Sequence, residues 1–98
     1  MKLKILKLAQ IEIEDSKEFY NLQQLNLGSI FKQEIQKTID KIIESPDLYP
    51  EISSPIRRCL LHKFPFSVIY SIEQEVIVIL AVAHQSRKPF YWVDRLIS

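Results

Sequence analysis

Apolar and polar positions recur with different periods along this chain, and each change of period marks an element. Residues 2–8 read as a strand, because Leu3 and Ile5 alternate with Lys2 and Lys4 as a half-buried strand requires. The alternation slips at Ile5-Leu6, which a bulge or the strand end would explain. Residues 11–24 predict a weakly patterned helix. Its stretch Glu14-Asp15-Ser16-Lys17-Glu18 is wholly polar, and Ile11, Phe19 and Leu22 supply its apolar contacts. The next helix is the clearest element, with Leu27, Ile30, Phe31, Ile35, Ile39, Ile42 and Ile43 at steps of three and four. Asn26 is its expected N-cap and Ser45-Pro46 its end, since a residue before proline avoids helical geometry. The short Asn26-Leu27-Gly28 junction makes the two helices a hairpin, with the chain's only glycine at the turn.

Residues 46–55 hold Pro46, Pro50 and Pro55 and read as a loop. Strands are expected at 56–62, 66–72 and 76–83. The second places Phe66, Val68, Tyr70 and Ile72 on one face, with Ser67, Ile69 and Ser71 on the other. The third is apolar on both faces and belongs inside a sheet covered on both sides. Glu73-Gln74-Glu75 predicts a three-residue connection, and residues 91–96 a helical turn. The order β-α-α-β-β-β implies a single α+β domain over residues 1–98, a helical hairpin packed on a four-stranded sheet.

Composition narrows the setting. No apolar stretch approaches the ~20 residues that cross a bilayer, so no membrane partner is expected. Met1-Lys2-Leu3-Lys4 lacks the long apolar core of a secretory signal. Cys59 is the only cysteine and cannot close an intramolecular disulfide, so a reducing, cytoplasmic setting is expected. The net charge of +1 argues against a wholesale polyanion-binding surface. Its distribution is uneven, with residues 1–56 at −2 and 57–98 at +3. All four arginines and both histidines lie in the second part.

Those residues carry the candidate chemistry. Cys59, His62 and His84 lie on different segments without the close spacing of a zinc site, and glycine-rich phosphate loops are absent, so neither metal nor cofactor is expected. His84 ends the apolar strand, where an imidazole can move protons. Arg87 and Lys88 follow, and Pro89 stiffens their loop. Tyr91 and Trp92 offer large rings, and Arg95 shares a helical face with Trp92. Arg58, His84, Arg87, Tyr91 and Arg95 together suit a phosphodiester, with arginines on the phosphate and His84 or Tyr91 in proton transfer. The same residue types also suit a protein interface.

The chain resembles the RelE/ParE superfamily of type II toxin–antitoxin toxins, also called plasmid stabilisation proteins. Phe19-Tyr20, Leu27-Gly28 with Phe31, Tyr49-Pro50, Arg57-Arg58, Phe64-Pro65-Phe66, Ala81-Val82-Ala83-His84 and the closing Arg87, Pro89, Tyr91-Trp92 and Arg95 carry the resemblance. It implies a RelE/ParE-like fold with a mostly antiparallel sheet. It also implies a small cytoplasmic toxin that arrests growth and is neutralised in a hetero-oligomer with its cognate antitoxin. One branch of the superfamily cleaves mRNA on the ribosome as a metal-independent endoribonuclease. The other inhibits DNA gyrase without catalysis. By position, the nuclease branch implies that Arg58 matches a basic strand residue, Arg87 its phosphate-binding arginine and Tyr91 its C-terminal aromatic. With His84 these are the expected catalytic residues, and Arg57, Lys63, Lys88, Trp92 and Arg95 the expected RNA- or target-binding ones. Leu60 and Ser67 depart from that branch, which commonly places cations there. Ribosome-dependent cleavage is the first expectation, gyrase inhibition its alternative, and an inactive relative that only binds its antitoxin a third.

Overall fold

The computed structural model describes residues 1–96. Strand β1, Lys2–Ile5, leads into helix α1, Lys7–Gln23, and helix α2, Leu27–Glu44. Strands β2, Glu51–Ser53, β3, Ile56–Leu60, β4, Phe66–Glu73, and β5, Val76–His84, follow, and a 3-10 turn spans Val93–Leu96. The sheet has five strands in the order β1-β5-β4-β3-β2, with β1 parallel to β5 and the other pairs antiparallel. The α+β architecture expected from the sequence is present, with one strand more than expected. That strand, β2, lies in the proline-rich stretch read as loop and folds back on β3.

The slip at Ile5-Leu6 is the end of β1. Leu6 makes the last ladder bond, its amide to Ile79 O at 3.1 Å, and α1 starts one residue later, earlier than its periodicity suggests. Between the helices Asn26 adopts the left-handed conformation at φ 70° and makes no side-chain cap bond. The first turn of α2 is capped from the other helix instead, by Asn21 Oδ1 accepting the Gly28 amide at 2.8 Å. Gly28 is needed for closeness rather than for a turn. A Cβ there would lie 2.2 Å from the Lys17 carbonyl oxygen and 2.7 Å from Asn21. The β4–β5 turn has two residues rather than three, Gln74 at φ 50° and Glu75 at φ 66°, the left-handed pair that a two-residue hairpin demands.

Two apolar clusters cover the two faces of the sheet. On the helix side, Ala9 and Ile13 of α1 and Phe31, Ile35, Ile39 and Ile42 of α2 pack on Phe66, Val68, Tyr70, Ile77, Ile79 and Val82. Tyr20, Phe31, Phe64 and Phe66 form a nest of rings with centroids 4.9 to 6.2 Å apart. On the opposite side, Ile56, Ile69, Leu80 and Ala81 are covered by Trp92, with Tyr91 and Leu96 beside it. A bulge sets this division. Ile69 faces Ala81 while Tyr70 faces Ile79, so Leu80 is the extra residue, and Leu80 and Ala81 both join the second cluster.

Candidate functional site: a cation-rimmed groove on the second face

The chain leaves β5 at His84 and returns across the open end of the second face. The Gln85 amide bonds Pro65 O at 2.9 Å and the Arg87 amide bonds His84 O at 3.0 Å, which holds the start of this loop. Between loop and sheet lies a groove of about 360 Å³. Leu60, Ile69 and Ala83 line it from the strands, and Pro89, Phe90 and Tyr91 from the loop. Arg58, Arg87 and Lys88 bring positive charge, His84 and Ser67 are also present, and no carboxylate among the described residues lines it. The strand register sets out the floor. Arg58 is across from Ile69, and Leu60 from Ser67, which itself faces Ala83.

The sequence-derived candidates separate into two groups. Arg58, His84, Arg87, Lys88, Tyr91 and Trp92 come together at the groove. Arg57, Lys63 and Arg95 do not line it. Arg57 follows strand alternation onto the helix side, where its guanidinium donates to Tyr49 O at 2.6 Å and to Asp47 O at 3.1 Å. It tethers the loop after α2. Lys63 sits in the β3–β4 connection at φ 73°. Trp92 touches the groove but is only 4% exposed, so its ring closes the second cluster and cannot be offered to a base.

Arg95 and Tyr91 are tied into a network that the sequence does not announce. Beyond Ile79 the outer edge of β5 has no neighbouring strand among the described residues, and Glu12 of α1 takes that place. Glu12 Oε1 accepts the Val82 amide at 3.0 Å and Arg95 at 2.9 Å, while Oε2 accepts the Tyr91 hydroxyl at 2.6 Å and Arg95 at 3.1 Å. Arg95 also donates to Leu80 O at 3.0 Å, the carbonyl of the bulge. The Glu12 and Arg95 side chains are each 14% exposed, so this ion pair works largely out of water. Burial, then the hydrogen bond to Glu12 and its negative charge, holds the Tyr91 phenol far above its ordinary range. A signal for Glu12 was present: it is a lone acid between Ile11 and Ile13, in the half of α1 that meets the sheet.

The remaining groups are simpler. His84 Nδ1 accepts the Ser86 amide at 3.0 Å, which leaves the proton of the neutral ring on Nε2. Its ring meets Phe66 edge-on at 5.0 Å. Arg87 lies over the Tyr91 ring, 3.9 Å from the centroid. Cys59 is buried on the helix side and burial pushes its thiol up, the setting of a packed rather than a reactive cysteine.

Among the described residues no helix is long and apolar enough to cross a membrane. No curated protein sequence matches the chain. A solved structure described as "Chromosomal ParDE TA system from P. aeruginosa" is similar in fold, with a TM-score of 0.77 at 18% identity, covering 86% of this chain and 95% of that one. The family described as ParE toxin of type II toxin-antitoxin system, parDE, matches residues 3–89. The strand order, the helical hairpin and that match agree, and the chain belongs to the ParE toxin family of type II toxin–antitoxin systems.

Proposed function

We propose that this ParE-family chain arrests growth by binding DNA gyrase through the groove on its second face, without catalysis. The observation that carries the reading is the bond from the Tyr91 hydroxyl to Glu12 at 2.6 Å. A phenol that already donates to a buried carboxylate, with its proton held tightly, is a poor acid or base. Leu60 and Ser67 give the groove an uncharged centre where a phosphoryl transition state would call for cations. An apolar floor, exposed Phe90 and a rim of Arg58, Arg87 and Lys88 suit a protein surface instead. Cleavage of mRNA on the ribosome is the second reading, favoured by the convergence of Arg58, His84 and Arg87 on one groove.

Neutralisation by a cognate antitoxin in the cytoplasm completes the proposal. Leu8, Ile11, Phe19 and Leu22 of α1 are all exposed, as is Leu25 at the hairpin tip, and they offer an apolar strip to an amphipathic helix. Induction of the chain alone in a bacterial host, with pulse-labelling of DNA and protein synthesis, tests the target. DNA synthesis failing first supports gyrase. Protein synthesis failing first supports the ribosome and restores a catalytic role to His84 and Arg87. Arrest of neither would mark an inactive relative.

A further inference from the structure

We infer that Glu12 is a positioning residue for the groove, acting through Tyr91 on Arg87. This rests on the reading that the Arg87 rim meets the target. Glu12 lies 79 residues before Tyr91, on a helix that does not line the groove. Its two oxygens accept from the Val82 amide, the Tyr91 hydroxyl and both terminal nitrogens of Arg95. An ionised carboxylate is an acceptor only, with about four lone-pair sites. Every one is matched here by a donor. A glutamine of the same shape would turn an NH2 group toward those donors and could satisfy only part of the set.

The consequence reaches the surface through one ring. Glu12 fixes the hydroxyl end of Tyr91, and the face of that ring carries the Arg87 guanidinium at 3.9 Å, with Arg95 at 5.1 Å. Arg87 is exposed and makes no ion pair among the described residues, so the ring is what selects one orientation for a side chain with many rotamers. Arg95 strengthens the hold, because it grips the same carboxylate and the bulge carbonyl of Leu80. The loop, its ring and its cation are therefore registered against the edge of β5 by one acid on α1. A preoriented arginine loses less freedom on meeting a partner than a free one.

The test compares Glu12→Gln, Tyr91→Phe and Arg87→Ala as full-length, isotopically labelled proteins. Two readouts are taken, growth arrest on induction and the ring-current shift that Tyr91 imposes on the Arg87 side-chain protons. Glu12→Gln should abolish that upfield shift and the arrest while the helix-side core signals stay in place. Tyr91→Phe, which keeps the ring and removes only its tether, should reduce both, and it decides the matter if Glu12→Gln does not fold. A Glu12→Gln protein with an unchanged Arg87 shift overturns the inference. If Arg87→Ala still arrests growth, the groove reading fails, and the ring-current measurement alone then decides whether Glu12 positions Arg87.

Discussion

The two faces of the sheet are closed by different means, and the difference leaves an open groove on one of them. The helix side is sealed by many interdigitated side chains, with Phe31 at its centre and Tyr20, Phe64 and Phe66 around it. Arg57 tethers only the loop after α2 there, and the helices themselves are held by apolar burial, which is additive and non-directional. The second face is covered chiefly by Trp92, on a loop that also brings Tyr91 and Leu96 against it. Its anchors are few, polar and directional: Glu12, Tyr91 and Arg95. Redundant packing makes a scaffold, whereas a loop held at a few points leaves an open groove beside it.

Deleting the centre of the helix side is the strongest way to break that comparison. Phe31→Ala should cost about 4 kcal/mol in chemical denaturation, since it removes a fully buried ring that its neighbours cannot refill. Any arrest lost with it should be lost only in proportion to folded protein. On the second face, Glu12→Ala should cost about 3 kcal/mol, because it leaves the Arg95 guanidinium, the Tyr91 hydroxyl and the Val82 amide without their acceptor. Here arrest should vanish while most of the protein is still folded. Equal ratios of activity to folded fraction for the two variants would erase the distinction between the faces.

Alkaline pH probes both faces at once. Burial pushes Tyr70 up to about 12, and it raises Tyr20, Tyr49 and Tyr91 as well. Unfolded tyrosines lose their protons near pH ~10. Above that the unfolded state binds fewer protons than the folded one, so stability falls as pH rises, by up to about 1.4 kcal/mol per pH unit for each such tyrosine. Stability set by these groups should be flat below about pH 9. Tyr91→Phe should make the decline shallower, and an unaltered slope would show that Tyr91 does not share in it.

Two smaller gains sharpen the picture. Ser71 Oγ is buried without a hydrogen-bond partner, so Ser71→Ala should stabilise by about 1 kcal/mol, read from the denaturation midpoint. Glu75→Gly relieves a left-handed residue in the β4–β5 turn and should add about 0.5 kcal/mol, with no change in arrest.

Much of this was legible in the sequence, for reasons that can be named. The steps Phe31, Ile35, Ile39 and Ile42 of α2 and the double-sided apolarity of β5 survive folding because each reports its own burial, whereas Ile30 and Ile43 of the same helical pattern are exposed. Strand β2 did not, since three residues among prolines carry no period. Gly28 was found but misread, because close approach of two helices depends on a partner that local sequence does not display. The cluster of cations and rings was found as a set. Strand alternation alone separates Arg57 from Arg58 and would have removed the former from the groove. What no local pattern could supply is the role of Glu12, whose partners stand 70 to 83 residues away and meet it only where β1 stops short of the end of β5.

The most direct test of the central claim is a binding titration of purified gyrase with the wild-type chain and with Arg87→Ala. The account predicts saturable binding by the wild type and a loss of at least about tenfold in the variant, whose fold is unchanged. No binding by the wild type, or equal binding by the two, would contradict it.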